Sequence, residues 1–145
     1  MTEENSFREN SQAVHAHLGI TQTVIQRMAS NSASCKTWCI TLVSAILVLI
    51  ADKGKPEYAW LALIPIILFF ALDAYYLALE KMFRLSYNKF IDKLHQGKIV
   101  ASDLYAVVPS GSMSKTIWAS VLSFSIWPFY TTLFVMVLIA KKVVL

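Results

Sequence analysis

The chain has 145 residues, enough for one domain and too few for two ordinary ones. Hydrophobic residues make up 57% of it and charged residues 15%, whereas a typical soluble domain holds roughly 45–50% and 25%; that balance speaks against an ordinary soluble enzyme. The net charge of +4 raises nucleic acid as a partner, but the basic residues flank apolar runs rather than forming one dense stripe, which points to a membrane surface instead.

Residues 1–11 read as a flexible N-terminus, and the first 35 residues hold no secretory apolar core. Beyond them Val14, Leu18, Thr21, Ile25 and Met28 follow the four-three spacing of one helix face, and the same register continues through Ser32, Cys35, Cys39, Leu42, Ile46 and Leu49. No proline interrupts this stretch and Gly19 is its weak point, so it predicts one helix from Gln12 to Ala51, ~60 Å long at ~1.5 Å per residue. Its purely apolar part, Trp38 to Ala51, is short for a bilayer core, which asks for about 20 residues. Extending it back through the small residues from Ser32 gives a first span over about 32–51.

A turn follows at Asp52-Lys53-Gly54-Lys55-Pro56-Glu57, where glycine stops one helix and proline can start the next. The second span is expected over 58–79, and its helix continues out of the membrane on the stripe Tyr76, Glu80, Phe83, Tyr87, Phe90 and Leu94 until Gly97 ends it. Residues 12–97 thus form a long antiparallel helical hairpin, two spans with cytoplasmic helical extensions. Residues 98–116 are a less regular cytoplasmic connection. A third transmembrane helix is expected from Ile117 to Ala140, within a 117–145 segment and kinked at Pro128; a re-entrant segment is the alternative. The fold class is all-α integral membrane. A β-barrel would need many short alternating segments, and the sequence has none.

Lysine and arginine placement sets the orientation. Nine of them (Arg8, Arg27, Lys36, Lys81, Arg84, Lys89, Lys93, Lys98, Lys115) fall on one side and four (Lys53, Lys55, Lys141, Lys142) on the other. The richer side belongs in the cytoplasm, so the N-terminus is inside and the C-terminus outside. Trp38, Tyr58, Trp60 and Trp118 fall where interfacial aromatic anchors belong.

Two features carry the functional reading. Asp73 lies inside the second apolar run, where an acid costs ~2.5–3.5 kcal/mol on insertion scales and needs a partner. Tyr76 and Glu80 share its face, Arg84 stands four beyond Glu80, and Arg27 and Lys36 are the basic partners across the hairpin. This set is either a gate, proton switch or ion site, or a buried network that fixes helix register; the ready basic partners favour the second. The other feature is small hydroxyl residues at helical spacing: Ser30, Ser34, Thr37, Thr41 and Ser44 on the first helix, and Thr116, Ser120, Ser123 and Thr131 around Trp127 on the third. Such rows let helices approach closely, or line a watery path when an oligomer closes them into a ring.

Enzyme chemistry has little support. There is no phosphate loop, nucleophile elbow or HExxH pattern, and no catalytic, cofactor or metal residue is assigned. His15 and His17 point to different helix faces and His95 is isolated; Cys35 and Cys39 read as reduced, buried side chains.

Certain stretches have a familiar cast. Arg27-Met28-Ala29-Ser30-Asn31-Ser32, then Lys36-x-Trp38 and Thr41-Leu42-Val43-Ser44-Ala45, and Leu72-Asp73-Ala74-Tyr75-Tyr76-Leu77 leading to Glu80 and Arg84, with Phe129-Tyr130 further on, resemble small bacterial membrane proteins of the SLATT type. The likeness covers roughly residues 20–95; a third span departs from the plain two-helix version. It implies a bacterial inner-membrane effector of anti-phage or other conflict systems that perforates or depolarises the membrane. The expected function is therefore an oligomeric, pore-forming or pore-gating effector acting with the lipid bilayer, further copies of itself and a cytoplasmic protein partner or signal. The alternatives are a non-conducting membrane anchor or scaffold recruiting a soluble partner, and a small ion or proton transporter subunit using Asp73.

Overall fold

The computed structural model describes residues 7–143, and every regular element among them is helical. Helix α1 runs Gln12–Lys53, α2 Leu63–His95, α3 Met113–Val121 and α4 Trp127–Val143. Short 3₁₀ turns occupy Pro56–Ala62 and Ala101–Asp103. Of the N-terminus expected to be flexible, residues 1–6 lie outside the described residues, as do 144–145 of the tail. Phe7 is half-buried and packs on the nearby core.

Helices α1 and α2 are 42 and 33 residues long, ~63 and ~50 Å. Partner numbers descend along α2 as they rise along α1: His17 meets Phe90, Gln22 meets Tyr87, Ser32 meets Asp73 and Cys39 meets Pro65. The two helices are antiparallel neighbours over most of their length. Both end in the same way. Gly54 and Gly97 take left-handed backbone, φ 62° and 65°. Each is followed by a residue whose N–H reaches back five positions, Lys55 to Ile50 and Lys98 to Lys93, while the glycine N–H bonds three back, to Ala51 and Leu94. This double bond satisfies carbonyls that a helix end otherwise leaves bare.

Two separate cores result. One gathers Cys39, Val43, Ile50, Ala59, Ala62, Ile66, Ile126, Tyr130, Leu133 and Val137, so α4 seats against the α1–α2 end nearest Gly54. The other, at the far end, gathers Val14, Phe90, Leu94, Ile99 and Leu104. Lys141 lies over the Trp60 ring, 4.5 Å from its centroid, which places the end of α4 beside the α1–α2 turn.

The structure departs from the sequence reading at three places. Residues 58–62 belong to a 3₁₀ turn rather than to the second α-helix; Pro56 starts that turn, where its missing N–H leaves no bond unmade. The irregular connection ends sooner than expected, with α3 beginning at Met113. The third apolar segment is two helices broken over 122–126, not one kinked rod. In a continuous helix Pro128 would strip residue 124 of its hydrogen bond and clash with its carbonyl. Here Ser123 turns back to Ser120 and Ile126 to Ser123, and Pro128 becomes the second residue of a fresh helix, where it costs nothing.

Among the described residues two helices, α1 and the helical stretch from Glu57 to His95, are long and apolar enough to cross a membrane. Only 22% and 33% of their most apolar stretches are buried within the chain. A core helix of a soluble protein would be mostly covered, so these faces await an apolar environment or a further partner.

The glycines of α1 supply a test of opposite signs. Gly54→Ala forces an L-residue into left-handed backbone and should cost about 1 kcal/mol. Gly19→Ala, in mid-helix with open space around it, should stabilise by about 0.5–1 kcal/mol. Urea unfolding in mild detergent, followed by helical circular dichroism, measures both.

Candidate functional site

Between the two cores lies one charged layer. Asp73, on α2, is fully buried. Its Oδ1 accepts a hydrogen bond from the Ser32 hydroxyl, and its Oδ2 is met by the Lys36 ammonium at 2.6 Å. The Lys36 approach is a charge contact rather than a directed hydrogen bond, so Oδ2 is neutralised without being fully satisfied as an acceptor. Ser32 and Lys36 are four apart on α1 and face the same way, with Lys36 Nζ 3.5 Å from the Ser32 Oγ. A carboxylate in an apolar interior is tolerable when its charge is paired, and here one turn of α1 supplies the cation and a hydrogen bond to one of its two oxygens.

Tyr130 of α4 closes the layer from the third side. Its hydroxyl donates to the Phe69 carbonyl at 3.0 Å, and its ring stands edge-on to Phe70 and to Phe129, with centroids 5.4 and 5.0 Å away. Cys35 and Cys39 are buried free thiols on the same face of α1. The Cys39 thiol points to the Pro65 carbonyl, 3.8 Å off. No group of three metal-ligating side chains occurs among the described residues.

The remaining residues of the expected network divide. Glu80 and Arg84 form an i, i+4 pair at 2.8 Å on the α2 surface, with the arginine side chain largely in the open; such a pair contributes ~0.3–0.5 kcal/mol. Tyr76 is half-buried, and its ring meets Tyr75 edge-on at 5.7 Å. Arg27 is exposed and makes no ion pair among the described residues. Of the two basic partners, then, the layer uses Lys36.

The hydroxyl row on α1 is uncovered from end to end: Ser30, Ser34, Thr37, Thr41 and Ser44 are all exposed. Thr37 and Thr41 return their protons to carbonyls one turn back, those of Ala33 at 3.3 Å and Thr37 at 2.8 Å. The second row is divided by the break over 122–126. Thr116, bonded to the Ser112 carbonyl at 2.8 Å, and Ser120 belong to α3; Ser123 lies in the turn, and Thr131 is exposed on α4. Ser120 is fully buried, and its hydroxyl has no partner among the described residues.

Two participants escape a reading of sequence alone. Ser32 reads as a packing position of the α1 stripe, although its i, i+4 relation to Lys36 is a signal that both address one acid. His17 gives no signal at all. It is buried at the far end of the hairpin, its ring 4.2 Å from that of Phe90, and it contacts the 98–112 connection. That connection also docks on α2. The Ser86 hydroxyl donates to the Val108 carbonyl at 2.5 Å and lies 3.0 Å from the Ser110 hydroxyl, and Ser110 N–H reaches the Met82 carbonyl.

Compared with known proteins, the chain matches no family model, no curated protein and no solved structure.

The charged layer makes a distinctive mutational prediction. Lys36→Met alone leaves a buried acid without its cation and should destabilise by about 3–5 kcal/mol. Adding Asp73→Leu should recover most of that loss, because an apolar pair needs no desolvation. A double-mutant cycle from urea unfolding in detergent reads the coupling; a double variant no more stable than Lys36→Met would refute it.

Proposed function

We propose that this protein is an oligomeric membrane effector whose assembled helices form or gate a pore in a bacterial inner membrane. The observation that carries the reading is the row of hydroxyls on α1, exposed at every position along a helix that is otherwise apolar enough to span a bilayer. A single chain offers these groups no inter-helix partner among the described residues. Copies assembled around an axis would bring five hydroxyl positions per chain to a common lining.

The membrane setting has its own support. Apolar side chains remain exposed along the outer faces of the four described helices, among them Val48, Leu49, Ile64, Ile67, Trp118 and Ile139. Water would penalise that surface and acyl chains would not. Lys53, Lys55, Lys141 and Lys142 lie at the α1–α2 turn and the end of α4, while the other nine lysines and arginines, from Arg8 to Lys36 and from Lys81 to Lys115, lie on the far side of the apolar stretches. By the positive-inside rule the latter side faces the cytoplasm and the C-terminus the outside. On this topology α4, 17 residues and ~25 Å, makes the third crossing together with the turn and the end of α3. The likeness to SLATT-type proteins adds anti-phage or related conflict as the setting, and the cytoplasmic extensions as the part that receives a protein partner or signal.

A second reading, a non-conducting anchor or scaffold for a soluble partner, draws on one specific observation. Thr37 and Thr41 already satisfy their hydroxyl protons within α1, as residues in a dry helix–helix seam do. The transporter reading has less: both oxygens of Asp73 are engaged inside the chain, which suits a register-setting pair better than an ion site.

Reconstitution in anionic liposomes separates these readings. The pore reading expects voltage-driven ion flux from a closed ring seen by electron microscopy, and a tenfold or greater fall in flux for Ser34→Leu/Thr41→Leu with assembly intact. A monomer in mild detergent, or a ring that passes no ions at any potential, would overturn it in favour of the scaffold.

A further inference from the structure

At the end of the hairpin far from Gly54, the 98–112 connection crosses the helices and roofs a cavity of about 190 Å³. His17, Thr21, Ser86, Lys89, Phe90 and Lys93 line its floor, and Ala106, Val107 and Val108 its roof. The roof meets α1 through one directed bond: the Tyr105 N–H donates to His17 Nδ1 at 3.0 Å. An imidazole nitrogen can accept that bond only while it carries no proton, so His17 is neutral with its proton on Nε2.

Tyr105 itself is held in left-handed backbone, φ 64°, which costs a residue with a side chain about 1–2 kcal/mol. Its side chain is exposed, so packing does not impose that conformation. The neighbouring anchors lie on either side: Ile99 and Leu104 in the far core, Val108 and Ser110 on Ser86. Among the described residues, the hydrogen bond to His17 is the one that the 105–107 stretch between them makes.

We propose that His17 is a proton-operated latch: neutral, it holds the 105–107 roof down on the cavity, and protonated, it releases it. Protonation would place an N–H on Nδ1 facing the N–H of Tyr105, turning an attraction into a clash of two donors. The ring itself keeps its seat, because the face of Phe90, 4.2 Å away, also suits a cation. The cavity gives solvent a way to a side chain only 4% exposed. The latch stands independently of the membrane function proposed above.

The charged groups around His17 are Asp103 from the connection and Lys89 and Lys93 from α2. Burial lowers the His17 pKa below its ordinary value, and Asp103 opposes that more weakly. Asp103 accepts from Lys93 at 2.8 Å and from the Val100 N–H at 3.2 Å. Chiefly through the Lys93 bond, it stays ionised below the usual carboxylate range. It therefore does not titrate in the window where histidine does. The sign follows: a depressed histidine pKa favours the closed roof fully above about pH 6.5, and that preference is lost as pH falls toward the folded value.

Hydrogen exchange of the full-length protein in detergent, corrected for intrinsic rates, tests this at pH 7.5 and 5.5. Peptides over 104–110 should lose about five- to tenfold of their protection at the lower pH, one unit below the ordinary histidine value, while peptides over 36–50 should not change. His17→Gln offers a side-chain carbonyl that accepts the same N–H without titrating, and its roof should respond to neither pH. Nitrogen-15 shifts of the wild-type imidazole, assigned by their loss in His17→Gln, give a reading that does not depend on how the variant folds. They should show Nδ1 bare at pH 7.5. Unchanged wild-type protection at pH 5.5, a pH response retained in His17→Gln, or a proton on Nδ1 at pH 7.5 would each overturn the latch.

Discussion

The contact between Lys36 and Asp73, with the Ser32 hydroxyl on the other carboxylate oxygen, fixes much else in this molecule. Hydrophobic side chains on two long apolar helices can mesh in more than one register, since sliding by one turn exchanges one set of aliphatic contacts for another. A buried acid removes that freedom. Displaced by a turn, Asp73 would lose its cation while still in an apolar interior, a penalty of several kcal/mol. The layer thereby sets which residues of α1 oppose which of α2 at both ends, from Cys39 against Pro65 down to His17 against Phe90. Tyr130 carries the same alignment to α4 through its bond to the Phe69 carbonyl, one turn from Asp73.

Much of this was legible in the residues, because the governing physics is local. The two long helices announce themselves by four-three spacing, with no proline inside α1 and Pro65 confined to the first turn of α2, and their ends by Gly54 and Gly97, each of which adopts the left-handed backbone that glycine tolerates best. A basic partner for Asp73, either Arg27 or Lys36, follows from the cost of leaving an acid unpaired in an apolar run. Choosing Lys36 over Arg27 needed the packing register, which depends on side-chain shapes across two helices. The break at 122–126 is hidden from sequence for a related reason. Pro128 is compatible with a kink or with a new helix start, and the choice rests on Ile126 and Tyr130 reaching the common core.

His17 marks the limit of sequence reasoning. Its importance comes from the Tyr105 backbone 88 residues away, whose N–H and left-handed conformation leave no trace in residue type. Polar pairs between side chains advertise themselves through composition; a side chain accepting from main chain does not. The uncovered hydroxyl row is the converse case, obvious in sequence, yet given meaning by the structure only through what fails to cover it.

The division into two cores has a thermal consequence. In the proposed bilayer setting, the core around Val43, Ile66 and Leu133 is held by close packing, since acyl chains compete equally for apolar surface. The core around Val14, Phe90 and Leu94 projects into water and is held by the aversion of water for hydrocarbon, which weakens on cooling. Chilling thus loosens the aqueous end of the stalk while its lipid-embedded end stays tight, so one rod answers to two solvents with different temperature laws.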